Sequence, residues 1–195
     1  MKRAYLILCL ISFCSISVFS QKAMVSINGN YRTEAKDFGL GTQVMIPIYK
    51  GLHIAPGITY FFEKEYEFDT YMVKGKVKNK TLNYGVDIHY AFNLPYSRSF
   101  VSPFIGVEGM SSWSNTSGSS MGITQGNPGS VVPNYKWSSF GGNFNNFTVL
   151  GNVGVAAKWF ASNNIFINTQ VKYSLLFDDM DSNHFVFTAG LGYAF

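Results

Sequence analysis

Cysteine is almost missing from this chain. The 195 residues hold two, Cys9 and Cys14, both within the first twenty positions. Those positions read as a secretory signal peptide. Lys2 and Arg3 form a positive start, Ala4 to Phe19 is mostly apolar, and Val18 and Ser20 suit cleavage before Gln21. The run is short for an anchoring span and is broken by Ser12, Ser15 and Ser17. The expected organisation is a signal peptide over 1–20 and a single domain over 21–195. Without cysteine, the mature chain can build no disulfide framework, thiol nucleophile or cysteine metal site. It also loses two cations and no acid, so the net charge falls from +4 to +2. No basic face clusters anywhere, and nucleic acid is not expected as a partner.

Charge is scarce as well. Charged residues make up 13% of the chain, about half the ~25% usual for a soluble domain. Long apolar runs are absent after Ser20, so no spanning helix is expected. What the chain has instead is aromatics and glycine: 18 Phe, 12 Tyr, 3 Trp and 19 Gly. Few charges and many aromatics exclude a disordered chain. They also leave a water-facing surface short of charge.

The residues alternate with period two, the mark of strands. The last strand shows it best. Phe185, Phe187, Ala189, Leu191, Tyr193 and Phe195 share one face, and Val186, Thr188, Gly190, Gly192 and Ala194 the other. Comparable alternation starts at Val25, Phe38, Leu52, Leu82, Val101, Phe147 and Ile165, which makes eight strands. In a soluble sandwich the second face carries Lys, Glu and Thr. Here it carries mostly Gly, Asn, Ser and Ala, as suits the interior of a narrow barrel. Most strands have about ten residues, enough to cross a bilayer at a tilt. The predicted fold is all-β: a transmembrane antiparallel up-and-down β-barrel of eight strands.

Connection lengths agree with this. Tyr49–Lys50–Gly51, 93–99 and 161–164 are short turns on one side. Thr33–Asp37, 64–81, 114–146 and 178–183 lie on the other, and two of them are long. Short periplasmic turns and longer outer loops are the rule for outer-membrane barrels. Eight strands then place both termini in the periplasm. Aromatics such as Tyr49, Trp159, Tyr193 and Phe62, Phe177, Phe185 fall at strand ends, where membrane girdles belong.

On these residues the chain resembles the small eight-stranded outer-membrane barrels of the OmpA-domain, OmpX and OmpW type. The segment 189–195, with Leu191, Tyr193 and terminal Phe195, resembles their C-terminal signature. That resemblance implies recognition by the barrel-assembly machinery, and outer-membrane lipid and lipopolysaccharide as surroundings. Residues 153–173 resemble their recurrent strand, short turn and strand. The resemblance is specific for architecture and implies no activity.

The inward face offers one polar cluster: Asp87, Glu108 and Lys172 near mid-depth and Lys158 lower, with Glu108 and Lys172 the expected pair. Charges in a narrow lumen must pair, so a structural plug is the first interpretation and a gate or proton path the second. His53, His89 and His184 fall on three strands, and no metal-binding spacing links them. No serine sits in a nucleophile elbow, so neither enzyme activity nor a cofactor is expected.

In the second outer loop, a hairpin turning at 69–72 would set Glu67, Glu65 and Glu63 opposite Lys74, Lys76 and Lys78. Glu63 has inward parity, and a bulge near 79–81 would resolve the conflict. The third outer loop, 114–146, is rich in Ser, Gly and Asn with Lys136 its only charge, and its composition reads as flexible. Its Tyr135, Trp137, Phe140 and Phe144 are candidate surface contacts, either recognition anchors or a lid over the barrel mouth.

The leading expectation is a structural or surface-interaction role, with an unnamed extracellular ligand. A narrow channel, or an OmpW-like route for small hydrophobic molecules, is the alternative. A lipid-modifying enzyme is the remote one.

Overall fold

The computed structural model describes residues 23–70, 72–124, 134–177 and 183–195. The expected signal peptide lies outside them. The described strands are β1 (Met24–Arg32), β2 (Asp37–Tyr49), β3 (Leu52–Asp69), β4 (Val73–Tyr90), β5 (Phe92–Asn93), β6 (Phe100–Thr124), β7 (Asn134–Phe160), β8 (Ile165–Leu176) and β9 (His184–Ala194). Every pairing is antiparallel. Each long strand pairs with its chain neighbour, β4 pairs with β6, and β1 pairs with β9. The two-residue β5 continues β4 past Ala91 along β6. The result is a closed ring of eight strands.

The predicted faces hold. Ile27, Leu40, Ile105, Val155 and Leu191 stand outward, with Ile27 at 69%, Ile105 at 63% and Leu191 at 64% exposure. So much exposed aliphatic surface on neighbouring strands has no place in water. About ten residues at ~3.3 Å each, tilted by ~40°, give a band of about 25 Å, the height of a lipid-facing belt. Asn28, Gln43, Asn83, Asn152 and Asn168 point inward and are buried.

One stretch departs from expectation. Residues 64–81 are expected to carry a hairpin extension and do, whereas 114–146 is expected as a flexible outer loop. In the structure its described residues are largely strand. β3 and β4 stay paired out to Asp69 and Lys74, β4 and β6 out to Val73 and Ser120, and β6 and β7 out to Thr124 and Asn134. The Ser, Gly and Asn of this region show no apolar alternation because both of its faces meet water. Its ladder depends on templating by β4 more than on side-chain propensity. Beyond the lipid band, β3, β4, β6 and β7 thus form one four-stranded sheet.

The turn geometry is local chemistry. Gly51 takes φ 75°, which the two-residue β2–β3 turn needs. In the 94–97 turn, Ser97 N–H donates to Leu94 O at 3.3 Å. Pro95 pre-sets the first central position, and Tyr96 holds φ 58° at the second, usually a glycine position.

Small residues make room for large ones in the lumen. Phe166 is fully buried and lies against the Cα of Gly192, where a β-carbon would collide with its ring. Gly192→Val is therefore expected to destabilise the barrel by about 1–3 kcal/mol through overpacking. Urea unfolding in lipid vesicles, followed by tryptophan fluorescence, measures this. An unchanged midpoint would refute the contact.

Candidate functional site: the lumen and the outer sheet

The lumen is built in tiers because each strand contributes alternate residues at successive heights. Nearest the short turns lies an apolar tier of Met24, Met45, Ala55, Phe100, Phe166 and Ala194. Above it is a polar tier. Lys172 Nζ donates to Glu108 Oε2 at 2.5 Å, and Asn152 Nδ2 donates to the same oxygen at 2.8 Å. Ser174 Oγ donates to Asn152 Oδ1 at 2.9 Å. Gln170 Nε2 reaches Gln43 Oε1 at 2.7 Å across the barrel. Asp87 hydrogen-bonds Asn152 and lies within electrostatic range of Lys172 and Glu108. Two acids thus share one lysine in this tier.

Of the four expected lumen residues, Asp87, Glu108 and Lys172 come together at mid-depth, and Lys158, expected lower, does not join them. Lys158 lies closer to the short turns, donates to Asn168 Oδ1 at 2.8 Å, and has its Nζ 5.3 Å from the Phe166 ring centroid. Its position two residues from the end of β7 sets this height. From Lys158 the bonding runs on through the lumen, since Asn168 donates to Asn28 and Asn28 to Ser26.

The three histidines fall on three strands as expected, and the sheet register makes two of them neighbours. His53 and His89 lie on neighbouring strands directly opposite one another in register, while His184 lies at the other end of the barrel. The pair was hidden because the β3–β4 register depends on the turn, not on spacing within one strand. Among the described residues no group of three or more His, Cys, Asp or Glu is arranged to hold a metal ion.

Sequence reasoning missed the pair that closes the tier nearest the long strands. Arg32 Nη2 contacts Asp37 Oδ2 at 2.6 Å and Arg32 Nε contacts Asp37 Oδ1 at 3.1 Å, a two-point contact of a buried pair. The guanidinium also lies 4.5 Å from the Phe61 ring centroid. Inward parity of both residues, either side of a tight loop, was the available signal.

On the outer sheet, the hairpin turns as expected but its register is offset by two. Glu67 faces Lys76, Glu65 faces Lys78, and Lys74 faces Asp69. The bulge lies at the expected height, between the Phe61–Thr81 and Lys64–Asn79 pairs, with the extra residue on β3. It rotates Glu63 to the outer face, which removes the parity conflict. Lys76 then bridges Glu65 at 2.7 Å and Glu67 at 2.8 Å, and Lys78 bridges Glu63 at 3.2 Å. Outward charges cannot face lipid cheaply, so the band ends before Glu63 and Lys80. Phe140 and Phe144 stand on the extended β7 ladder as strand residues, not as a separate lid, and Phe144 is 64% exposed. The side chains of Tyr135 and Trp137 lie outside those described.

With this geometry in view, comparisons identify the fold. A major outer membrane protein from Thermus thermophilus matches with a TM-score of 0.54 and 13% identity, over 91% of this chain and 100% of that one. The Yersinia pestis outer membrane protein Ail, in a phospholipid bilayer nanodisc, matches with a TM-score of 0.50 and 11% identity, over 90% of this chain and 100% of that one. The chain has the fold of small outer-membrane β-barrels. No protein-family model and no curated protein matches it.

Two outcomes follow. Glu108→Gln leaves Lys172 without its bonded counter-charge, at a cost of about 3 kcal/mol, the lower end for a broken buried pair because Asp87 remains nearby. Glu108→Gln combined with Lys172→Met recovers most of the loss. Urea midpoints in vesicles test both, and a Glu108→Gln barrel as stable as the parent would show the pair to be dispensable. On the outer sheet, hydrogen bonding from Lys76, then the charge and bonding of Lys78, hold the Glu65 carboxyl below its usual range. A depressed carboxylate stabilises above its unfolded pKa, and that contribution fades as pH falls through the folded value. Protection of the Lys76 and Lys78 amides, corrected for intrinsic exchange, is therefore expected to drop below about pH 4 while the lumen tier stays protected. Equal protection at neutral and acid pH would rule out an ionic contribution.

Proposed function

We propose that the chain is a non-enzymatic outer-membrane barrel that acts as a surface-interaction protein, with both termini in the periplasm and the four-stranded sheet projecting outside. The observation that carries this reading is the pairing of β3, β4, β6 and β7 beyond the lipid band as one sheet with two free edges. β2 meets β3 no further out than the Gly39–Phe61 pair, and β8 meets β7 no further out than the Leu150–Leu176 pair.

The two edges differ chemically. The β3 edge carries Lys64, Glu65, Glu67 and Asp69, and the β1–β2 loop leans on it: Lys64 Nζ and Tyr66 Oη both donate to Ala35 O. Such an edge is guarded against strand addition. The β7 edge over 138–146 has no charge and presents Ser, Gly, Asn and exposed Phe. An unguarded edge with aromatics beside it suits the addition of an extended polypeptide segment. The ion-paired lysines of β4 largely neutralise their face, which argues against polyanion capture there. The alternate outward placement of Leu191, Tyr193 and Phe195 supports their role as an assembly signal, with lipopolysaccharide and lipid as surroundings.

The channel alternative has less support. The polar tier interlocks across the barrel, and the cavity within it is about 50 Å³. Planar bilayers containing the protein are expected to show no single-channel conductance. In a separate assay, cells displaying the whole chain are compared with cells displaying a barrel in which a short turn joins Trp113 to Asn145. Retention on fibronectin- and collagen-coated surfaces is expected to fall severalfold in the trimmed form, while both forms keep heat-modifiable migration on gels. Equal retention, or steady conductance from the whole chain, would overturn the proposal.

A further inference from the structure

The end of the barrel opposite the outer sheet holds a cavity that the surface role does not use. It measures about 500 Å³, within the ~300–1,000 Å³ of small-molecule sites. Its walls are largely apolar: Met24, Phe100, Phe160 and Ala194, with His53 and Arg98 as the basic groups and no acidic residue among the lining residues. The 94–97 turn, with Tyr96 in its left-handed conformation, places Arg98 at the rim. Arg98 is exposed, and its described bond is a long one, 3.5 Å from Nη1 to Asn163 O.

The surroundings of this cavity are basic too. His53 stacks on Phe100 with ring centroids 6.1 Å apart. Phe100 is in register with Lys158, and His53 with His89. Lys158 is 1% exposed, and among the described residues no carboxylate lies within ion-pair distance of it. Its hydrogen-bond acceptor is a neutral amide. Buried His89 bonds Ser102 through Nδ1, and its Nε2 has no described partner. The acids of the middle tier, Asp87 and Glu108, are bound up one tier away with Lys172. Arg98 at the rim is the exposed cation open to a negative charge, His53 already hydrogen-bonds Gly51 O through Nδ1, and the walls favour hydrocarbon.

We propose that this cavity is a binding site for a small amphiphilic carboxylate, its hydrocarbon against Met24, Phe100 and Phe160 and its head group between Arg98 and His53. In the orientation proposed above, the site opens to the periplasm. The inference itself rests only on the cavity and its charges, and it stands or falls separately from the outer-sheet role.

The test uses the whole mature chain in phospholipid nanodiscs, with ¹³C-labelled histidine read by NMR. The probes are octanoate and, as the uncharged control, 1-octanol. Octanoate is expected to shift the His53 ring signals saturably and leave those of His184, at the opposite end, in place. Arg98→Gln, on an exposed turn where folding is not at risk, is expected to weaken octanoate by about tenfold, the loss of one charge-assisted hydrogen bond, and to leave octanol unchanged. Three results would overturn the proposal: no saturable shift at His53, octanol matching octanoate, or equal shifts at His53 and His184, which would report partition into the lipid.

Discussion

In hydrocarbon, a backbone N–H or C=O without a partner has no water to turn to. A sheet can cross a membrane only if its first and last strands meet. Here that demand falls on the β1–β9 ladder, which runs in unbroken register from Met24–Ala194 to Arg32–Val186. Closure with eight strands leaves a lumen too narrow for water to fill freely. Each inward side chain must then find its partner among the other inward side chains. The amide ladder through Asn28, Asn168 and Lys158, the Gln43–Gln170 contact and the Glu108–Lys172 pair all follow from that geometry. So do the inward glycines, because Phe166 and Phe104 need the space that Gly192 and Gly154 leave open.

How far the sequence could be read tracks how strongly lipid dictates each residue. Within the band, lipid on one side and a tight lumen on the other enforce strict alternation, and all eight strands, their faces and their turns were legible. Phe185 to Phe195 is the plainest example. The Glu108–Lys172 pair was legible too, since both have inward parity at similar depth. The lower height of Lys158 was legible from its place near the strand end, but its partner Asn168 was not, because one-dimensional parity gives the face and not the neighbours. His53 and His89 became neighbours only through the β3–β4 register. Beyond the band the alternation rule lapses. Residues 114–146 look like a loop by composition, yet much of that segment continues a ladder that β4 already templates.

The lumen and the outer sheet handle charge in different ways. Inside, the low dielectric makes pairing compulsory, and the buried Glu108–Lys172 and Arg32–Asp37 contacts are close and multiply bonded. Outside, Lys76 and Lys78 are about half exposed, and each of their bridges is worth little, with the median exposed pair near ~0–1 kcal/mol. What they do together is set the hairpin register and guard the β3 edge. The bulge at Phe62–Glu63 is the hinge between the two regimes. It turns Glu63 from the lumen parity to the outer face where the lipid ends, so an acid that would have crowded the mouth of the barrel joins the outer ion-pair row.

This arrangement leaves an imbalance along the barrel axis. The middle tier holds two carboxylates for one lysine, and the tier toward the short turns holds Lys158, His53 and His89 with no acidic side chain in an ion pair with them among the described residues. Had the barrel needed only a plug, one self-neutral tier would have met the burial penalty with fewer buried ions, since buried pairs can often be replaced by apolar residues without loss. Separating acid from base costs stability unless the separated charge has a counterpart. The acid excess has one close by in the amides of Asn83 and Asn152, which bond Glu108. The tier toward the short turns is likewise bonded to neutral groups, Lys158 to Asn168, His89 to Ser102 and His53 to Gly51 O, and it borders the apolar cavity that Arg98 rims. A negatively charged ligand entering from that end would add a counter-charge that these neutral groups do not supply, which makes the plug and the cavity parts of one electrostatic arrangement.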